Sequence, residues 1–326
     1  MNGAPDTIIC RKCNHQLDIS ELNPFDEFLC PYCKTKIKCP FIFERYFLLD
    51  ICGIGGMSRV YRAFDPVLNR NVAIKITDAN CFDASVAGER YIREAELVAK
   101  INSPGIVKVF RGGVHGGQPF LVMEFMKKGT LEDLQKSFML PPADKILQWL
   151  SVIADGLYAA SQLGIVHHDI KPANIMLSED GEVKIGDFDL AEINTDNASA
   201  DSSDWASIAY VSPERLYDGT EDYRGDIFSL GATAYELLTN EYPFGNSGEV
   251  AELIERRKHP AFEPVNHLNS TVSASISDFI SRMMAFVPEA RPSYPEIINV
   301  FKNGRNMNDR KKSGNTIFSF FKNNSQ

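Results

Sequence analysis

His167-His168-Asp169-Ile170-Lys171-Pro172-Ala173-Asn174 is the stretch on which the reading of this chain turns. An Asp, a Lys two residues on and an Asn five residues on can project from one short loop toward a single phosphate. They would offer it a base, a cation and a metal ligand. Such a toolkit needs partners elsewhere in the chain, and the sequence supplies them in order.

Upstream, from Glu44, short alternating or apolar runs punctuated by glycine read as strands and hairpins. Among them Gly53-Ile54-Gly55-Gly56-Met57-Ser58-Arg59-Val60 is a turn whose glycines let the backbone approach phosphates and point N–H groups at them. Val72-Ala73-Ile74-Lys75 follows, and a lysine ending an apolar strand needs an anionic partner. Residues Val86 to Lys100 read as a helix, with Tyr91, Ala95, Val98 and Ala99 spaced for one apolar face. Val107 to Gly112 and Pro119 to Glu124 read as two further strands of a mostly antiparallel sheet. After Gly129, Thr130-Leu131-Glu132-Asp133 is a capped helix start. Ala143 to Leu163 carries Ile146, Leu147, Leu150, Ile153, Ala154 and Leu157 at the spacing of a long buried-faced helix, closed by Gly164. Thirteen residues beyond Asn174 comes Asp187-Phe188-Asp189. Strand-rich then helix-rich order argues an α+β class in two lobes.

The ordered set resembles the protein kinases, and the Asp-x-Lys-Pro-x-Asn form resembles their serine/threonine class, in particular the bacterial enzymes that look eukaryotic. The resemblance runs from about 44 to 303, with an N-lobe over 44–124, a hinge over 124–129 and a C-lobe over 130–303. It implies transfer of the γ-phosphoryl group of ATP to Ser/Thr hydroxyls of protein substrates. Asp169 would accept or orient the hydroxyl proton, and Lys171 would neutralise the transferring group. Asn174 and Asp187 would hold Mg2+ or Mn2+. Lys75 would pair with Glu94, preferred over Glu96. Gly53, Gly55, Gly56 and Ser58 would cover the phosphates, Ser58 standing where many kinases have a third glycine. Backbone groups of Glu124 and Met126 would bond the adenine, with Met123 behind it and Cys52, Val60, Ala73 and Met176 as apolar walls.

Two departures stand out. Asp189 replaces the glycine that eases the switch between active and inactive backbones, which implies restricted switching with the metal ligand kept. His168 stands where many kinases carry an arginine that receives an activation-loop phosphate, and a neutral imidazole holds such a phosphate weakly. The segment from Leu190 to Ser212 is itself acidic, with Asp196, Asp201 and Asp204 among Ser199, Ser202 and Ser203. Basal activity without loop phosphorylation is the expectation. Ser207 aligns with a hydroxyl that contacts Asp169 and Lys171 in the family. Glu214 of Ser212-Pro213-Glu214 should pair with Arg291, and Asp226 should bond the backbone of the catalytic loop.

Ahead of this region, Cys10-x-x-Cys13 and Cys30-x-x-Cys33 are separated by sixteen residues. Two such knuckles can complete a tetrahedral four-sulfur site that favours Zn2+, and residues 1–40 resemble a zinc ribbon. So small a segment needs the metal to fold. Arg11, Lys12, Lys34, Lys36 and Lys38 would give it a basic face for protein or nucleic-acid contacts. Residues 304–326 turn polar and basic and read as a disordered tail or a short docking segment anchored by Phe318, Phe320 and Phe321.

At 326 residues the chain suits two or three domains, and its 44% hydrophobic content is that of a globular protein. A net charge of -9 argues against a chain built mainly to coat nucleic acid. The longest apolar runs fall short of the roughly 18 to 20 residues that a membrane span needs. Paired Cys-x-x-Cys motifs fit a reducing, cytoplasmic setting. Two other functions compete with an active kinase: a pseudokinase scaffold that binds nucleotide or partners without transfer, and a zinc-ribbon adaptor that the kinase region controls.

Overall fold

The computed structural model describes residues 6–23, 25–55, 58–78, 87–188, 208–219, 221–245 and 250–303. Two compact units emerge. One holds the described residues up to Lys100 together with Lys108–Met126, and the other holds Ile101–Val107 and the described residues from Lys127 onward.

The first unit begins with two hairpins built alike. Strands β1 (Thr7–Ile9) and β2 (Gln16–Asp18) pair antiparallel, as do β3 (Glu27–Leu29) and β4 (Lys36–Lys38). Each turn carries a Cys-x-x-Cys, and each ends in a left-handed residue, Asn14 and Lys34, both at φ 57°. The two hairpins enclose a small core, with Cys10, Leu17 and Cys30 buried and Phe28 and Ile37 packed beside them.

The chain then enters a six-stranded antiparallel sheet in the order β5 (Phe41–Phe43), β6 (Tyr46–Ile54), β7 (Ser58–Asp65), β8 (Arg70–Thr77), β10 (Gln118–Glu124), β9 (Val109–His115). Residues opposite one another across antiparallel strands share a face. The rows Val60, Lys75, Leu121 and Arg62, Ala73, Met123 therefore lie on one side of the sheet. Ala63, Val72, Ile74, Phe120 and Val122 lie on the other, in an apolar cluster with Phe43, Tyr46 and Leu48.

The hairpins are stitched to this sheet on both faces. Phe25 packs against the cluster, its ring 6.2 Å from that of Tyr61. Its N–H donates to the Cys39 carbonyl at 2.7 Å, and the Cys39 N–H returns to Asp26 at 2.7 Å. The Arg11 guanidinium lies 3.8 Å from the Phe64 ring centre. Lys38 reaches Asp50 at 2.8 Å, and Arg62 grips the same carboxylate. The cysteine module and the sheet thus belong to one compact unit.

Helix α1 (Ala87–Ala99) packs on the first face, buries Ala95 and Val98, and leaves Ala99 exposed, so the apolar stripe is narrower than its periodicity predicts. Contact is closest at Gly112, opposite Leu121, where a Cβ would stand 2.8 Å from that of Ala95.

The second unit is helical. Helix α2 (Leu131–Lys136) opens with the predicted capping box: the Asp133 N–H donates to Thr130 Oγ1 at 3.1 Å, and the Thr130 N–H to the Asp133 carboxylate at 2.9 Å. Helix α3 (Ala143–Ser161) buries Ile146, Leu147, Leu150, Ile153, Ala154 and Leu157, as its spacing requires, and Gly164 turns the chain at φ 71°. A short 3-10 turn (Pro172–Asn174) leads into the hairpin β11 (Ile175–Leu177) and β12 (Val183–Ile185). Then come α4 (Pro213–Asp218), α5 (Tyr223–Thr239), α6 (Val250–Lys258), α7 (Val265–Leu268), α8 (Ala274–Met283) and a helix over residues 294–303, α9. Helix α5 is buried on every side from Gly225 to Leu238, which makes it the axis of the unit.

Candidate active site

In the helical unit the predicted loop is a hydrogen-bonded cluster. Oδ2 of Asp169 receives the Lys171 ammonium at 2.9 Å and the Asn174 Nδ2 at 2.8 Å. Asn174 Nδ2 also donates to the Asp169 carbonyl at 2.7 Å, so its Oδ1 is the oxygen it has to offer a cation. The Gly186 N–H donates to the Asn174 carbonyl at 3.1 Å, which brings the chain carrying Asp187 alongside. Asp187 is exposed and left-handed at φ 66°, and Phe188 is buried against the His167 ring, 4.4 Å between centroids. Met176 follows on β11 and is partly buried.

The core beneath holds this loop. Asp226, on α5, accepts the N–H groups of His167 at 2.8 Å and His168 at 3.0 Å, the contact the sequence leads one to expect. Burial pushes this carboxyl up to about 7, the charge of Glu221 adds to the rise, and the two N–H bonds oppose it. Thr233, two turns along α5, donates to the Ile170 carbonyl at 3.3 Å. His167 is fully buried, and burial drives its imidazole down to about 4, so the ring is neutral near pH 7. The Asp169 N–H donates to His167 Nδ1 (3.3 Å), which leaves Nε2 to donate to the Gly186 carbonyl (3.1 Å).

Glu214 and Arg291 form the predicted pair as a bidentate fork, at 2.6 and 2.7 Å, with the arginine side chain wholly buried. Sequence reasoning missed Arg257 altogether. Its guanidinium is buried and donates to the carbonyls of Ile208 (2.6 Å), Val211 (3.2 Å) and Leu253 (3.0 Å), and burial lowers it to about 10. In the sequence it is one of three consecutive cations, a pattern that signals a solvated helix end.

In the sheet unit, Lys75 lies mid-strand on β8, on the face that α1 covers, in register with Val60 and Leu121. Glu96 is exposed; Glu94 lies in α1, and its side chain is outside the described residues. Gly53 pairs with Val60, and the Gly55 N–H donates to the Ser58 carbonyl at 2.8 Å, which closes the glycine turn. Gly56 and Met57 lie outside the described residues. Ala73, Met123 and Met126 are buried, Val60 is partly buried, and Cys52 is exposed. Partial desolvation of the Cys52 sulfur pushes its thiol up. Glu124 ends β10 with its N–H donated to Lys108 at 2.9 Å. Asp189, Leu190 to Ser207 and the 304–326 tail also lie outside the described residues.

The four cysteines of the hairpins converge. Their sulfurs all lie within 4.8 Å of one another, with Cys10 to Cys33 and Cys13 to Cys30 each 3.6 Å apart, so the group is able to hold a metal ion. His15 is not in that set; its ring stacks on Tyr32 at 3.9 Å. The expected basic face is thinner than the sequence implies: Arg11 lies on Phe64, Lys36 pairs with Glu27 at 2.5 Å and Lys38 with Asp50.

A strand-rich unit with a glycine turn and an in-strand lysine, and a helical unit presenting an Asp-Lys-Asn cluster, define a protein kinase fold. Residues 46–300 match the protein kinase domain family, and the chain belongs to it. It is 37% identical over 224 residues to the serine/threonine-protein kinase PknL of Mycobacterium bovis, covering 68% of this chain and 56% of that protein. Serine/threonine-protein kinase PknB of Mycobacterium leprae is 33% identical over 258 residues, 77% of this chain and 41% of its own. The chain thus spans about half the length of these relatives. Among solved structures, the PknI kinase domain of Mycobacterium tuberculosis superposes with a TM-score of 0.63 at 22% identity, covering 81% of this chain and 97% of that one. Rad53 bound to AMP-PNP gives 0.67 at 24%, covering 80% and 66%. Both show the same fold. Among the described residues no helix is long and apolar enough to cross a membrane.

Proposed function

We propose that this chain is an ATP-dependent serine/threonine protein kinase that transfers the γ-phosphoryl group to Ser or Thr hydroxyls of protein substrates. The observation that carries the reading is the shared Oδ2 of Asp169, with Lys171 at 2.9 Å and Asn174 at 2.8 Å. The carboxylate keeps its second oxygen for the substrate hydroxyl, whose proton it orients or accepts. Lys171, already beside it, neutralises the transferring group. Asn174 Oδ1 and the Asp187 carboxylate are hard oxygens that would hold Mg2+ or Mn2+, whose charge would offset that of the phosphates. Lys75 serves the phosphates, with Glu94 as its partner, and the Gly53–Ser58 turn offers them N–H groups.

Residues 6–38 bind a structural Zn2+ through Cys10, Cys13, Cys30 and Cys33. A tetrahedron of sulfurs about 2.3 Å from zinc has edges of about 3.8 Å, and the closest sulfur pairs stand at 3.6 Å. Four reduced thiols in such a group fit a cytoplasmic protein.

The test is transfer of labelled γ-phosphate to the chain itself or to a generic basic protein, compared with Asp169→Ala and Asp187→Ala. Each variant should lose roughly 1,000-fold or more in kcat. A wild type silent under both Mg2+ and Mn2+ would replace this reading with that of a scaffold.

A further inference from the structure

His168 has a backbone that few non-glycine residues adopt, φ 68°, immediately before the Asp169 that the proposed chemistry needs. A left-handed residue of this kind persists only where its surroundings over-determine it. Two of the restraints are on the main chain: the N–H is held by Asp226 at 3.0 Å and the carbonyl by Arg215 Nη1 at 2.7 Å. The third is on the ring, whose Nδ1 donates to Glu221 Oε1 at 2.8 Å.

Glu221 is unusually committed for a loop carboxylate. Its side chain is 3% exposed. Oε1 also lies 3.4 Å from Arg215 Nη1, and Oε2 accepts the Ser212 hydroxyl at 2.5 Å. Ser212 in turn caps α4, its Oγ accepting the Arg215 N–H at 3.3 Å. Space for the carboxylate is reserved by Gly225, where a Cβ would fall 1.8 Å from Oε2. One buried anion therefore ties the residue before Asp169 to both Ser212 and Arg215 at the start of α4.

Resting on the phosphotransfer reading, we propose that Glu221 is a positioning residue for catalysis: a buried carboxylate that locks His168, and through it Asp169, to the Ser212–Arg215 segment. The imidazole at 168 is thus already engaged by a carboxylate carried within the chain. An anion supplied later by phosphorylation would find the ring Nδ1 already bonded to Glu221. The left-handed turn that aims Asp169 is thus held by a side chain the protein itself supplies.

The experiment uses the full chain. Glu221→Gln keeps the size and removes the charge, and kcat should fall about tenfold or more while KM for ATP stays within about twofold, as expected of a displaced rather than a missing catalytic group. Glu221→Asp, which keeps the charge on a shorter arm, should recover part of the loss. His168→Asn should lower kcat on its own, and in combination with Glu221→Gln the loss should be no greater than for either alone, because both variants break one linkage. Wild-type kcat in Glu221→Gln, or full additivity of the two losses, would overturn the proposal. Should Glu221→Gln fail to fold, wild-type kcat in Glu221→Asp together with an unimpaired His168→Asn would do the same. A silent wild type would instead remove the phosphotransfer reading and this inference with it.

Discussion

The cysteine module and the catalytic loop both hold polar side chains in a fixed constellation, but with opposite resources. Residues 6–38 bury Cys10, Leu17, Ile19 and Cys30, so two of the four thiols belong to a very small core. The loop from His167 to Asn174 stands on a fully buried helix: Asp226 and Thr233 of α5 reach up to its backbone, and Ile170 points down with no exposure. The first has only a small core of its own, whereas the second is held from beneath by a fully buried helix. Four experiments probe that contrast, taken here from the largest effect to the smallest.

The first removes the metal. With structural zinc worth on the order of 10 kcal/mol in modules of this kind, chelation or Cys30→Ser should unfold residues 6–38. Hydrogen exchange should show loss of protection in β1 to β4 and none in α3 or α5. Unchanged protection in the hairpins after metal removal would mean that their attachment to the sheet, and not the metal, holds them.

The second attacks the preorganised side. Arg291 has no exposed side-chain surface and satisfies Glu214, so Arg291→Ala strands a carboxylate in the first turn of α4 and should cost about 3 to 5 kcal/mol in urea unfolding of the helical unit. A loss near that of an exposed ion pair would show that water reaches Glu214 once the arginine is gone. The module's hydrogen exchange should be unaffected, which keeps the two regions separable.

The third tests how the buried charges under the loop are balanced. His167 titrates at about 4 in the fold against an ordinary 6.5, so its contribution is complete above 6.5 and is lost as pH falls toward 4. Asp226 titrates at about 7 against an ordinary 3.8, so its contribution is complete below 3.8 and is lost as pH rises toward 7. The slopes oppose each other in the wild type. Asp226→Asn removes the second, so the variant should lose more stability than the wild type on going from pH 7.5 to pH 5, read as the shift in urea midpoint. Parallel profiles would show that Asp226 is ionised throughout.

Legibility in the sequence divides along the same line. The Cys-x-x-Cys spacing, the glycine turn, Lys75 and the Asp169-Lys171-Asn174 loop are local patterns, and their local geometry could be expected from the residues alone. Helix α3 was legible because its six apolar positions repeat at the helical period. Glu221 and Arg257 were not, because each is a charged residue in a polar stretch whose burial is decided by what the fold brings beside it: Gly225 and Ser212 for the one, the distant Ile208 and Val211 for the other. Nor was the union of the module with the sheet. Phe25 reads as a loop aromatic until the fold brings Tyr61 beneath it, and Arg11 reads as surface charge until Phe64 does the same. Composition reports charge and apolarity but not who faces whom.

The smallest effect concerns that union, and it decides how far the module's dependence on metal can spread. Asp50 is partly buried, which raises its carboxyl, but Lys38 and Arg62 outweigh the burial and hold it below the usual range. All three side chains keep about a third of their surface in water, so the Lys38 bridge is worth about 1 kcal/mol or less. Lys38→Met removes the cation and keeps the stem on Phe25, whose ring centre is 6.0 Å from the ammonium. Arg62 remains to satisfy Asp50, so the sheet should show no change in hydrogen exchange in β6 to β8, and the hairpins should lose only a few tenths of a kcal/mol, an amount that shrinks as salt is added. A loss above about 2 kcal/mol, or any effect that survives high salt, would place Lys38 in a desolvated network. The module would then share its metal-dependent stability with the strands that carry the glycine turn and Lys75, and metal removal would be felt on both sides of the junction.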